Sequence, residues 1–169
     1  MREIEFRGKH THDNEWKYGY LDYLNKDQSY VIHKGDGVRY FVDAETIGQY
    51  TGLKDKNGTK IFEGDIIRQR EITVLNDKHY ENDKDKQKHK QRLIKDCGAI
   101  FDDDNTYHQD TINVVECDDD RFYPFADDDS EWGTFNWNIP IEVIGNIYDN
   151  PELLDVDNER NELKQNYQS

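Results

Sequence analysis

The sequence predicts a β-dominated chain, all-β or α+β, and three observations carry that reading. Roughly eight to ten short segments alternate apolar with polar residues or run as brief β-branched and aromatic stretches, as strands do. Helical periodicity is scarce and no strand–helix–strand rhythm recurs, which removes the parallel α/β architectures. Only 34% of the 169 residues are hydrophobic and 35% are charged, near the composition at which chains fail to collapse. Eleven Tyr, seven Phe and three Trp nevertheless supply the large surfaces that a small core needs.

Taken in order, Ile4 and Phe6 alternate with Glu3, Glu5 and Arg7, the period-2 pattern of a half-buried strand with its apolar residues inward. Trp16–Leu24 is aromatic-dense, Asn25-Lys26-Asp27 is a turn, and Ser29–His33 is the returning strand. Gly35-Asp36-Gly37 breaks the chain before a fourth strand, Val38–Val42. Asn57-Gly58 marks a tight hairpin, because both residue types tolerate positive φ. In Ile61–Arg68, Gly64 permits a sharp turn and Asp65 can accept nearby backbone N–H groups on the way into an Ile-Ile strand.

Asn76–Lys95 is nearly all charge and amide. It reads as a mobile, solvated excursion, or at best an exposed helix, that buries no face and takes the first protease cut. Strand signals resume at Leu93-Ile94, Cys97–Phe101, Thr111–Cys117 and Ile141–Tyr148. Asn150-Pro151-Glu152 has the N-cap, first-turn proline and early acid of a helix start, and the tail to Ser169 is polar.

Charge is divided between the halves. Residues 1–95 hold 19 Lys/Arg and 17 Asp/Glu, a net of +2, whereas residues 96–169 hold 3 and 20, a net of -17. The second half repels phosphate and anionic lipid, so no direct nucleic-acid or membrane binding is expected. Self-repulsion there predicts a melting temperature that climbs with NaCl at pH 7, unless the basic half already pairs with the acidic one. No run of about 18 apolar residues can span a bilayer. Met1–Arg7 lacks the apolar stretch of a secretory signal, so a cytoplasmic protein is expected. Cys97 and Cys117 form no CxxC pair. In a reducing compartment they read as buried free thiols, and neighbouring carboxylates would raise rather than lower their pKa.

The motifs favour binding over chemistry. Three Asp triplets, at 102–104, 118–120 and 127–129, suggest calcium. Counted from Asp102, however, the sixth residue is Tyr107 and the twelfth Asn113, where a calcium loop needs Gly and Glu. Turn formation and solubility explain the triplets better. His10 and His12 sit at strand spacing with no third ligand nominated. No nucleophile elbow, phosphate loop or zinc-protease pattern occurs, so no catalytic, cofactor or metal residues are assigned and no enzyme is expected. Trp132-Gly133-Thr134-Phe135-Asn136-Trp137 alternates large with small or polar side chains, a pattern that favours core on one face and offers a binding groove on the other if the Trp residues are exposed. Trp132, Phe135 and Trp137, with Asp118, Asp119, Asp120, Asp127, Asp128 and Asp129, form the candidate interaction surface.

Met1–Arg7, Val42–Leu53, Ile61–Ile67 and Val143–Leu154 together resemble the YopX family of small phage and prophage proteins from low-GC Gram-positive bacteria. The resemblance implies a mostly β protein whose C-terminal part is an SH3-type barrel, acting within a bacterial host, and it implies no activity. The organisation expected is an N-terminal β unit at 1–52, a barrel at 53–154 containing the polar 76–95 segment, and a tail at 155–169. The function expected is a non-catalytic module in the host cytoplasm that binds itself, as a homo-oligomer, or a host or phage protein. The alternative is an acidic nucleic-acid mimic that occupies the basic cleft of a host DNA-binding enzyme.

Overall fold

The computed structural model describes residues 4–26, 28–118, 121–125 and 139–154. Its strands are β1 (Phe6–Lys9), β2 (Trp16–Leu24), β3 (Ser29–His33), β4 (Arg39–Val42), β5 (Gly48–Lys54), β6 (Lys60–Phe62) and β7 (Asp65–Val74). Helix α1 (Asp83–Cys97) follows, then β8 (Ile100–Phe101), β9 (Thr106–Val114), β10 (Glu116–Asp118), β11 (Arg121–Tyr123) and β12 (Ile141–Asn146). The first six strands form one sheet in the order β4-β3-β2-β1-β5-β6. A second sheet runs β12-β7-β9-β8, and β10 pairs with β11 as a separate ribbon. All pairings are antiparallel. The β-dominated fold class therefore holds. An SH3-type barrel is not confirmed: both sheets are open among the described residues, and β12 and β8 stand at opposite edges of the second sheet. The first sheet continues through Phe62.

The hairpin at Asn57-Gly58 forms, but only Gly58 takes positive φ (84°). Asp55 shapes the turn instead, its Oδ1 accepting from the Asn57 and Thr59 N–H groups, each at 2.8 Å. The first strand differs from its sequence pattern. Ile4 is exposed, while Arg7 and Lys9 are buried. Alternation places one set of side chains on each face, and β1 lies in mid-sheet between β2 and β5. The cationic set faces inward because anionic and aromatic partners wait there, as described below.

The polar stretch also differs, since its second half is a fifteen-residue helix. Asn82 caps it by accepting from the Asp85 N–H, and Asp83 and Asp85 lie in its first turn. Gly98, in left-handed conformation at φ 68°, ends it with its N–H on the Ile94 carbonyl, and the Ala99 N–H bonds that of Leu93. Leu93 and Ile94, read as strand, are helical, and Cys97 closes the helix. α1 does bury a face. Leu93 packs with Tyr80 and Phe101 on Leu75, Ala99 and Tyr107. Lys86 pairs with Asp77 (2.8 Å) and donates to Asn105, and Lys90 reaches Asp104 (3.0 Å). Aliphatic stems lie along the sheet while the ammonium heads take acidic partners.

The main core lies where the two sheets meet. Ile61, Ile67, Val115 and Phe122 are buried there, flanked by Leu53, Cys117, Phe125, Ile141 and Val143. A helical turn begins at Pro151, as its capping residues predict. No helix among the described residues is long and apolar enough to cross a membrane.

Candidate interaction surfaces

The densest constellation of charge sits at the joint between the sheets. Gly64, at φ 80°, reverses the chain between β6 and β7. This places Asp65 under Phe62, whose N–H donates to Asp65 Oδ2 at 2.8 Å. Asp65 Oδ1 pairs with the Arg7 guanidinium at 2.5 Å, and both side chains are buried, at 3% and 6% exposure. Arg7 also donates to the Glu63 carbonyl (3.0 Å) and lies 4.6 Å over the Trp16 ring and 5.3 Å from that of Phe62. Burial raises the Asp65 carboxyl above its ordinary value, and the Arg7 charge offsets this only in part.

Two residues beyond Arg7, Lys9 Nζ reaches Asp149 Oδ1 at 2.5 Å. The Trp16 indole N–H (2.7 Å) and the Asn146 amide (2.9 Å) donate to Asp149 Oδ2. The Lys9 bond, then those from Asn146 and Trp16, hold the Asp149 carboxyl down at about 2. The Tyr148 hydroxyl donates to the Glu45 carbonyl at 2.5 Å. Asp55 adds a further tie, since the Val143 N–H donates to its Oδ2 at 3.2 Å. Burial would raise the Asp55 carboxyl, but backbone bonds from Thr59, Val143 and Asn57 outweigh it and lower the pKa. These groups bond chiefly to one another. The arrangement is a clamp between the N-terminal strands and the chain after β12. The turn geometry read for Gly64 and Asp65 is present, with Arg7 as the partner that the sequence did not nominate.

The acidic half is also engaged with the basic one. Arg70 holds Asp110 in a two-pronged bond, both contacts at 2.7 Å, which lowers the Asp110 carboxyl. Arg68 and Lys56 share Glu142 at 2.6 and 3.1 Å. The first Asp triplet is a turn, as predicted: Asp103 accepts the Asn105 and Thr106 N–H groups, Asp104 takes Lys90, and Asp102 lies 3.0 Å from His108 Nδ1. These bonds remove part of the charge that a nucleic-acid mimic would display. His10 pairs with Asp13 at 2.9 Å and packs edge-on to His12 and Tyr40. Among the described residues no group of three His, Cys, Asp or Glu is placed to hold a metal ion. Of the candidate surface read from sequence, Asp118 ends β10. Asp119, Asp120, Asp127, Asp128, Asp129, Trp132, Phe135 and Trp137 lie outside the described residues.

Two apolar surfaces that the sequence did not single out stand open. Ile72, His108 and Ile100 share one rung across β7, β9 and β8, on the sheet face opposite α1, and Val74 lies two residues on from Ile72. Ile72 is 63% exposed, Val74 67% and Ile100 44%. On the first sheet, Tyr20 and Phe41 are exposed on one face and Tyr23 on the opposite one. Strand alternation predicts one covered face for this sheet, and the cluster that Leu93 of α1 joins includes Tyr107 of β9 and Phe101 of β8, on the side opposite Ile72, His108 and Ile100. Which face stays bare was not legible without the helix.

Comparison with known proteins agrees with the resemblance. A family model described as YopX protein matches residues 5–155. No curated protein matches. A solved structure, the crystal structure of protein EF1440 from Enterococcus faecalis, is 24% identical, covering 91% of this chain and 99% of that one, with a TM-score of 0.43. A match running from the residue before β1 past the end of β12 takes in the Arg7–Asp65 pair, the Gly64 turn and the Asp149 clamp together, and the chain belongs to the YopX family.

Proposed function

We propose that this YopX-family protein acts by binding protein rather than by catalysis, either by self-association or on a host or phage protein in the bacterial cytoplasm, as the product of a phage or prophage. The observation that supports the reading is the Ile72, Val74 and Ile100 strip. Three β-branched side chains on one sheet face, each more than two-fifths exposed, carry a standing cost in water that a partner surface removes. Arg7, Lys9, Arg68 and Arg70, by contrast, are engaged with Asp65, Asp149, Glu142 and Asp110 in ion pairs. A symmetric contact is the simplest use of such a face, because each copy offers the same strip to the other.

Sedimentation velocity across a concentration series tests the reading. The wild type is expected to sediment as a dimer or larger, and Ile72→Lys with Val74→Lys is expected to sediment as a monomer with an unchanged melting temperature. A wild type that is monomeric throughout and retains no protein from a host lysate refutes it.

A further inference from the structure

The second sheet meets α1 through an apolar cluster of its own. Leu75, Ala99 and Tyr107 are buried there, with Tyr80, Leu93 and Phe101 packed on them, so every member lies between residues 75 and 107. The main core at Ile61, Ile67, Val115 and Phe122 shares none of them. Beside Leu93, α1 rests on two cations. The Lys86 and Lys90 side chains are only 11% and 13% exposed, whereas those of their partners Asp77 and Asp104 are 63% and 81% exposed. Lys90 also donates to the Asp104 carbonyl at 3.0 Å and stands 4.6 Å from the centre of the Phe101 ring. On the exposed side of α1, Lys84, Lys88 and Arg92 recur every fourth residue, a spacing at which like charges repel. A fifteen-residue helix is marginal in water without tertiary packing.

We propose that α1 is an ion-latched cover, which opens as a unit while β7 stays paired with β9 and so uncovers a second apolar face of that sheet at Leu75, Tyr107 and Phe101. A cluster separate from the main core can open without breaking that core. Mobile ions reach both pairs through the exposed carboxylates, so the latch responds to salt. Ile72, Val74 and Ile100 stand bare on the other side, so α1 sets whether the sheet presents one apolar face or two. That regulatory use rests on the binding role proposed above; the opening itself does not.

The test is amide hydrogen exchange of the full-length protein, followed by NMR in low concentrations of urea, with NaCl at about 0.05 and about 1 M. The α1 amides, together with the capping Gly98 N–H on the Ile94 carbonyl, are expected to share one opening. Its urea slope should be above zero but well below that of the Val115 and Tyr50 amides, which bond the Asp65 and Glu5 carbonyls away from α1. Asp77→Asn with Asp104→Asn leaves Lys86 and Lys90 without their anions, and is expected to speed α1 exchange roughly tenfold in low salt. Salt is expected to speed α1 exchange in the wild type by more than in this variant, because the repulsions along Lys84, Lys88 and Arg92 are the same in both. An α1 urea slope equal to that of Val115 and Tyr50 means that the helix opens only with the whole chain, and overturns the proposal. Slopes near zero that differ from residue to residue mean fraying of single turns, and overturn it too. Exchange indifferent to the double variant removes the latch and with it the proposal. Sedimentation of Ile72→Lys with Val74→Lys reads the bare face alone, so failure of the cover and failure of the binding role are told apart.

Discussion

Replacing Arg7 with methionine tests the joint most directly. The substitution keeps a long side chain over Trp16 and removes the only cation paired with buried Asp65 among the described residues. Breaking a buried pair from one side costs about 3–5 kcal/mol, because the remaining charge is left without compensation. The bond to the Glu63 carbonyl is lost as well. Against a typical domain stability of about 5–15 kcal/mol this is a large fraction. The pH dependence carries the diagnosis. Burial already raises the Asp65 carboxyl, and removing Arg7 raises it further. A group whose folded pKa is raised contributes stability below its unfolded value, near 4, and that contribution is lost as pH rises through the folded value. The deficit of Arg7→Met is therefore full at pH 7 and shrinks as pH falls toward about 4, where Asp65 takes up a proton. Arg7→Met with Asp65→Asn, which retains an acceptor for the Phe62 N–H, is expected to recover about 2–3 kcal/mol at pH 7. Urea unfolding midpoints for the three proteins from pH 4 to 7 measure this. A deficit that does not change with pH, or a double variant no more stable than Arg7→Met, refutes the reasoning.

Two further outcomes follow from the charge map. Asp149, held at about 2, contributes stability above its ordinary value near 4 that is lost as pH falls through about 2. Because its side chain is more than a third exposed, Asp149→Asn is expected to cost only about 1 kcal/mol at pH 7, with the difference from wild type closing under acid in a thermal melt. The ion pairs that join Arg68 and Arg70, Lys9 and Lys90 to Glu142, Asp110, Asp149 and Asp104 reverse the salt expectation drawn from composition. Screening weakens these attractions along with the repulsions, so the melting temperature at pH 7 should stay flat or fall between about 0.1 and 1 M NaCl. A steady climb would show that unpaired acidic repulsion dominates.

The sequence alone was enough for most of the N-terminal strands and for β12, for the turns at Gly64 and Asp103, and for the family. Each rests on local physics: side-chain alternation, the φ freedom of glycine, and carboxylates that cap the backbone near them in the chain. It failed where the deciding partner is remote. Arg7 read as the solvent side of β1, and it and Lys9 are buried against Asp65 and Asp149, which lie 58 and 140 residues further along the chain. Asn82, Asp83, Lys95 and Gly98 carry the cap signals of α1, but the helix packs an apolar anchor at Leu93 and rests on Lys86 and Lys90 reaching Asp77 and Asp104. Periodicity finds faces made of apolar residues and is blind to a face made of lysine stems. The exposed strip at Ile72, Val74 and Ile100 follows for the same reason. Alternation shows that β7 has two faces, and only the tertiary placement of α1 decides which one remains bare.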